Sequence, residues 1–210
     1  ANYWVDTAEV HGLKRVVSVS ENFKMEEESL VTANTILKNS LGTGYLEIFN
    51  RRTSLKERIR LLADAMEEAT GMQDMGAYLT TLFEIDALFL NQDRHLNNIA
   101  LIRDKFGYKP CPIFDCGDSF LLDFALYSPE IESRAYLTKA QCLPFKSRFT
   151  QTVHTAQAMY GKQLAVNIDK TSIDTILDKY LCYYPKQFRF LLKERIETVL
   201  MEQQKKLFEK

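Results

Sequence analysis

Three oxygen-bearing side chains are spaced in a way that suits phosphoryl transfer. Asp93 and Asn98 stand at the two ends of the segment Asp-Arg-His-Leu-Asn-Asn, and Asp115 follows in the segment Ile-Phe-Asp-Cys-Gly. Phosphoryl transfer needs positioning and charge neutralisation more than covalent help. A free carboxylate at Asp93 could orient an acceptor hydroxyl and accept its proton. Asp115 and Asn98 could hold magnesium against nucleotide phosphates, because magnesium prefers oxygen ligands.

Two predicted strands bring the last two of these residues together. Ile99–Ile102 and Cys111–Phe114 are typical of short strands, and residues 104–107 supply a turn between them. A hairpin brings its two ends close to each other. Asn98 at the start of the first strand and Asp115 at the end of the second are therefore predicted to be neighbours.

Two long helices are predicted to precede this hairpin. Ser54 and Glu57 form a capping-box pattern, and the helix that they begin is expected to end near Gly71. Asp74 is expected to cap a second helix that runs to about Leu90, since apolar residues recur along it with helical spacing. The candidate catalytic residues then follow in the next loop.

The remaining segments complete a mainly helical outline. Strand-like stretches on either side of His11-Gly12 predict an N-terminal hairpin. Further helices are predicted at Glu26–Asn39, Arg148–Tyr160, Ser172–Tyr183 and Pro185–Lys206. The predicted fold class is mainly α with a small β-hairpin in the middle.

At these residues the sequence resembles a known family. Asp-Arg-His-x-x-Asn at 93–98, followed by Ile-Phe-Asp-x-Gly at 113–117, resembles the HipA-like serine/threonine kinases of bacteria. Phosphatidylinositol kinases share a similar arrangement, but the wider stretch 83–122 and the segment 19–28 look more HipA-like. The resemblance covers residues 3–125, and it implies an α+β fold like the C-terminal lobe of a protein kinase.

The resemblance also implies a role for each residue of the motif. Asp93 would be the catalytic aspartate, His95 would orient groups in the catalytic loop, and Arg94 would structure the loop or form an ion pair. Asn98 and Asp115 would bind the cofactors, Mg²⁺ and ATP, as the metal ligands. The expected partners are a protein substrate with a serine or threonine hydroxyl and an antitoxin-like protein.

The chain is predicted to form a single domain over residues 1–210. Its expected parts are a hairpin on the hinge side (1–24), helices (26–90), the catalytic loop with the metal-binding hairpin (91–122) and a helical subdomain (123–210). No convincing phosphate-covering loop or phosphate-binding lysine is found. Gly42-Thr43-Gly44 is typical of a turn between helices, and Lys14 of a surface hairpin. An N-terminal kinase lobe is therefore expected to be absent from these residues.

Composition excludes several other classes of protein. The chain carries 27 basic and 28 acidic residues, and this balance argues against wholesale nucleic-acid binding. No apolar run is long enough to cross a bilayer, and no signal peptide is visible. The four cysteines form no Cys-x-x-Cys pair and are expected to be free thiols in a reducing cytoplasm.

Two other functions remain open from the sequence alone. A lipid or small-molecule kinase could use the same motif, although residues 118–127 are acidic and apolar rather than basic. A non-catalytic module that keeps the shape of a kinase lobe is the second alternative, since the nucleotide clamp is missing. In the simplest interpretation, Asp93 only caps a turn and Asp115 only ends a strand.

Overall fold

The structure is a computed structural model, and it describes residues 2–42, 45–50 and 54–209, without the side chains at positions 48 and 49. The strands are β1 (Tyr3–Val10), β2 (Leu13–Ser20), β3 (Ser29–Thr32), β4 (Ala100–Asp104), β5 (Gly107–Pro110), β6 (Gln141–Cys142) and β7 (Ser147–Arg148). The helices are α1 (Ala33–Leu41), α2 (Tyr45–Asn50), α3 (Leu55–Thr70), α4 (Met75–Phe89), α5 (Ser133–Tyr136), α6 (Phe149–Tyr160), α7 (Lys170–Tyr180) and α8 (Lys186–Leu207), with a 3₁₀ turn at Leu181–Tyr183. No described helix is both long and apolar enough to cross a membrane.

Helix α4 lies at the centre of the fold and sets the position of the loop that follows it. It packs against α3, α6 and α8, and its residues Leu79, Leu82 and Phe83 are buried in the main core. At its C-terminus, Leu90 adopts a left-handed conformation and its N–H donates to the carbonyl of Asp86. The chain therefore leaves α4 abruptly, and the loop at 91–99 starts from a buried helix end.

The start and end of α3 follow the signals in the sequence. Ser54 and Glu57 form both hydrogen bonds of the capping box, and Gly71 ends the helix in the left-handed conformation that favours glycine. The prediction for α4 is partly wrong. Asp74 precedes the helix but makes no capping hydrogen bond. Instead, the Glu67 carboxylate accepts from the N–H of Met75 at 2.9 Å.

The predicted helix at Glu26–Asn39 is wrong in its first half. Residues 29–32 form β3, which pairs antiparallel with β4, so that Leu30 lies opposite Ile102. Only then does α1 begin, where Thr32 accepts a hydrogen bond from the N–H of Thr35. The acidic residues at 26–28 therefore precede a strand, and the middle sheet has three strands in the order β3-β4-β5 rather than two.

The middle hairpin is also shifted along the sequence. The predicted strand at Cys111–Phe114 is wrong, because β5 begins directly after a tight turn and ends at Pro110. Residues 111–114 form no strand. The N-terminal hairpin of β1 and β2 forms as predicted, with His11 and Gly12 at its turn in positive φ. Of the predicted turn at 42–44, Gly42 ends α1, and Thr43 and Gly44 lie outside the described residues.

Candidate functional site

The loop after α4 is built on a buried ion pair. Arg94 is 0% exposed, and its guanidinium donates from Nε and Nη2 to the two carboxylate oxygens of Asp86 at 2.8 and 2.9 Å. Asn91 donates to the same carboxylate at 2.8 Å. Burial raises the pKa of Asp86, and the hydrogen bonds from Arg94 oppose that rise. Asp86 on α4 thus holds the loop in place from within the core.

Arg94 also joins the two strand ends of the predicted site. Its Nη1 donates to the backbone carbonyl of Asn98 at 2.9 Å and to that of Phe114 at 2.7 Å. Its Nη2 lies 3.3 Å from the thiol sulfur of Cys116. Since β4 starts at Ala100 and β5 ends at Pro110, the strand ladder itself does not reach these residues. Beyond the ladder, the Tyr78 hydroxyl lies 2.8 Å from the carbonyl of Ala100 and 3.4 Å from that of Cys111, and the Arg94 guanidinium then joins Asn98 to the residue that precedes Asp115.

Asp93 lies at the start of this loop with its side chain partly open to solvent. The side chain is 49% exposed, while its backbone carbonyl accepts from the N–H of His95 at 2.8 Å and from the side-chain amide of Asn98 at 3.0 Å. Nε2 of His95 lies 3.8 Å from Oδ2 of Asp93, which is too long for a hydrogen bond. The loop is therefore closed by its own backbone, and the Asp93 carboxylate remains available to a ligand.

Asn98 and Asp115 supply two oxygen atoms that could hold a metal ion. Asn98 is 6% exposed, and it uses its amide nitrogen on Asp93, whereas no hydrogen bond among the described residues uses its amide oxygen. Asp115 is exposed and has a φ of 53°, a left-handed conformation that is uncommon outside glycine. Such backbone strain is concentrated at functional sites.

The oxygen atoms of Asn98 and Asp115 suit magnesium that is also bound by phosphates and waters, rather than a metal ion that is bound by protein side chains alone. Within the described ranges, no group of three or more His, Cys, Asp or Glu side chains could hold a metal ion. Magnesium is commonly bound by one or two carboxylates, with phosphates and waters completing its octahedron. The exposed carboxylate of Asp115 and an amide oxygen of Asn98 with no hydrogen bond among the described residues are consistent with that arrangement.

Asp118 is a third carboxylate at the site, and the spacing of the motif did not single it out. Burial raises its pKa, and the nearby charges of Asp93 and Asp123 add to the rise. The N–H of Gln92 donates to the carbonyl of Asp118 at 3.0 Å, and the side chain of Gln92 accepts from Tyr127 at 2.5 Å. These bonds tie the loop at 91–98 to the segment that follows Asp115. The position of Asp118 directly after Asp-x-Gly was the sequence signal that could have identified this third carboxylate.

The N-terminal hairpin reaches the same site from the other side. Burial raises the pKa of Tyr3, with a contribution from Cys116, while a hydrogen bond from the backbone of Asp115 acts to lower it. Phe23, just beyond β2, packs on Phe114 with 6.0 Å between ring centroids. The residues before β3 therefore lie against the Asp115 turn.

Lys14 and Lys109 are two lysines of this region that could bind phosphate, and their described partners lie outside the candidate site. Lys14 is exposed in β2, opposite Glu9. Glu28 forms its ion pair with Lys109 of β5, not with Lys14. Within the described residues, neither of these lysines approaches the loop at 91–98 through a hydrogen bond or an ion pair.

Comparison with solved structures shows that the chain has a kinase-like fold. It is similar to the crystal structure of a Helicobacter pylori proinflammatory kinase, CtkA, with a TM-score of 0.58 over 98% of this chain and 74% of that chain. The two sequences are 17% identical, so that the likeness concerns the fold alone. No protein-family model and no curated protein sequence matches the chain.

Proposed function

We propose that this chain is the catalytic lobe of a HipA-like kinase that transfers a phosphoryl group from ATP to a serine or threonine hydroxyl of a protein. The observation that carries the proposal is the half-exposed Asp93 carboxylate in a loop that Arg94 fastens to the core and to the backbone of Asn98 and of Phe114, the neighbour of Asp115. The kinase-like fold supports the same conclusion. In this proposal residues 1–210 act as one domain, and Asp93, Arg94 and His95 form the catalytic loop.

Each residue has a part in the proposed mechanism that follows from its environment. Asp93 accepts a hydrogen bond from the acceptor hydroxyl and takes its proton as the hydroxyl oxygen bonds to the γ-phosphorus of ATP, while the bond from that phosphorus to the bridging oxygen breaks and ADP leaves. His95 borders the Asp93 carboxylate and limits the directions from which the hydroxyl approaches. Asn98 and Asp115 would hold Mg²⁺, which when bound neutralises charge on the nucleotide phosphates. Arg94 touches no reacting atom and keeps these groups in register through the backbone.

The proposal is tested by transfer of radiolabel from ATP in the full-length protein. Asp93→Asn is expected to reduce transfer by about 100-fold or more, as is usual when a general base is removed. Asp64→Asn is the matched control, because Asp64 is an exposed carboxylate of α3 outside the site. Equal labelling by wild type and Asp93→Asn would contradict the assignment of Asp93.

The same assay separates the alternative functions. Labelling of phosphoinositide vesicles without labelling of any protein would favour a lipid kinase. Calorimetry with Mg-ATP tests the non-catalytic alternative, because a module of that kind has no need of the Asp115 carboxylate. We expect nucleotide binding that depends on magnesium and that Asp115→Asn weakens.

A further inference from the structure

A cavity of about 560 Å³ opens beside the candidate catalytic loop. His95 lines one wall, and Pro144 and Lys146 line another, while Tyr45 and Arg58 come from the helices that precede α4. A volume of this size is typical of ligand-binding clefts. Because His95 also borders the Asp93 carboxylate, the cavity begins one side chain away from the proposed base.

The lining of the cavity carries two positive charges and no carboxylate among the described residues. Arg58 donates from Nη1 to the carbonyl of Phe145 at 2.9 Å and lies over that ring. Its Nε is buried without a hydrogen-bond partner in the part of the chain that the structure describes. Lys146 is exposed, and none of the ion pairs in the described ranges includes either cation. The charged groups of Arg58 and Lys146 are donors of charge-assisted hydrogen bonds, and an anion in the cavity that they line would be their acceptor.

The rest of the lining suits a polypeptide in an extended conformation. Leu46 and Leu143 offer apolar surface, and the side-chain amides of Asn50 and Asn97 are exposed at its edge. Amide groups of this kind can pair with both the N–H and the carbonyl of a main chain. Nucleic acid is a poorer fit, because its binding rests on many phosphate contacts and the cavity offers two cations.

We propose that this cavity binds an acidic side chain of the acceptor polypeptide, a few residues away from the hydroxyl that Asp93 receives. The inference rests on the proposed function and adds the substrate class to it. Arg58 and Lys146 are the specificity residues, and the carboxylate of the acceptor is their missing partner. Acceptors with a glutamate or aspartate near the phosphorylated serine are then preferred over neutral ones.

Binding of labelled peptides to the full-length protein without ATP tests the cavity independently of catalysis. The probes are fluorescein-labelled serine peptides with one glutamate at each position in turn, compared with glutamine at the same position. We expect the best glutamate peptide to bind about 10-fold more tightly than its glutamine counterpart, as for a charge-assisted hydrogen bond. Equal affinity for the two peptides at every position would overturn the proposal.

Variants connect that preference to the two cations. Arg58→Gln and Lys146→Gln are each expected to weaken binding of the glutamate peptide severalfold. Lys56→Gln is the matched control, since it removes an exposed charge from the same helix outside the cavity and is expected to change nothing. Arg58 packs on Phe145, so its loss also removes a packing contact. Arg58→Lys, which keeps the positive charge, and Lys146→Gln, at an exposed position, therefore test the charge preference separately from the fold. An unchanged preference in Lys146→Gln and Arg58→Gln would refute the assignment.

The two proposals fail in different ways. If the glutamate preference depends on Arg58 and Lys146 but no protein is labelled from ATP, the cavity stands as a binding site and the proposed function falls. If proteins are labelled through Asp93 but glutamate and glutamine peptides bind and react alike, the kinase stands and the inference about its acceptor falls.

Discussion

Replacing Arg94 by methionine removes the guanidinium that holds the candidate site together. The side chain is buried and makes four hydrogen bonds of 2.7 to 2.9 Å, two to Asp86 and two to backbone carbonyls. In Arg94→Met the carboxylate of the buried Asp86 would keep, among the described residues, only the side-chain amide of Asn91 as a hydrogen-bond partner. Removing one member of a buried ion pair costs about 3–5 kcal/mol, and we expect a loss of that size. This is a large share of the stability of an ordinary domain.

Urea unfolding followed by circular dichroism at 25 °C measures this loss, because the helices provide the signal. Arg15→Met is the matched control, since Arg15 is exposed in β2 and its removal should change the free energy of unfolding by less than about 0.5 kcal/mol. The double variant Asp86→Asn/Arg94→Met leaves neither charge unpaired. We expect the double-mutant cycle to give a coupling energy of about 2–3 kcal/mol. A loss below about 1 kcal/mol in Arg94→Met, or strict additivity in the cycle, would refute the reasoning.

Three further predictions concern other parts of the fold. Hydrogen bonding to Lys109 lowers the pKa of Glu28 below its ordinary 4.5, and hydrogen bonding to Glu28 raises that of Lys109 above 10.5. The pair therefore stabilises the fold between these values, and the stabilisation is lost as pH falls through the lowered pKa or rises through the raised one. Wild type should melt above Glu28→Gln at pH 7, and the difference in melting temperature should shrink as pH falls below 4.5 and through the lowered pKa of Glu28; a constant difference would contradict this. In Gly76→Ala the added methyl group would overlap the ring of Tyr160. We therefore expect the free energy of unfolding in urea to fall by about 1–3 kcal/mol, even though alanine has the better helix propensity. Equal stability would show that the ring moves aside freely. Arg195→Met removes three hydrogen bonds of 2.7 to 3.0 Å to backbone carbonyls within residues 121–128. We expect faster proteolysis within that stretch and no new cleavage in the N-terminal hairpin. Unchanged cleavage would contradict the inference that the Arg195 guanidinium holds the stretch in place.

Local signals in the sequence were sufficient for helix α3, although not for the first half of the helix predicted at Glu26–Asn39 or for the cap predicted at Asp74. The capping box at Ser54 and the left-handed Gly71 act over a few residues, so that both ends of α3 could be predicted. The N-terminal hairpin was predictable for the same reason, because its turn joins strands that are adjacent in sequence. The position of β3 was not predictable, since it depends on pairing with β4, which lies far away in the chain.

The motif singled out Asp93, Asn98 and Asp115 as candidates, and the expected reason for their proximity was a strand ladder. The ladder ends before these residues, and the side chain of Arg94 bonds the carbonyls of Asn98 and Phe114 beyond it. The resemblance implied a structuring role for Arg94, but the bond to Phe114, 20 residues away, has no signature in residue spacing. The approach of Asp118 to Asp93 is a tertiary contact of the same kind, and its raised pKa follows from burial that no single segment reveals.

The guanidinium of Arg195 links the C-terminal helix to a stretch that also packs on that helix, since the rings of Phe124 and Phe188 lie 6.3 Å apart. It donates to the carbonyls of Leu121, Tyr127 and Ser128, directly downstream of the Asp115 turn. If a binding protein, a fusion or a truncation displaces α8, residues 121–128 must move with the helix, or the three hydrogen bonds of Arg195 must break. Helix α8 is thus coupled to the stretch that follows the Asp115 turn by hydrogen bonds as well as by ring packing.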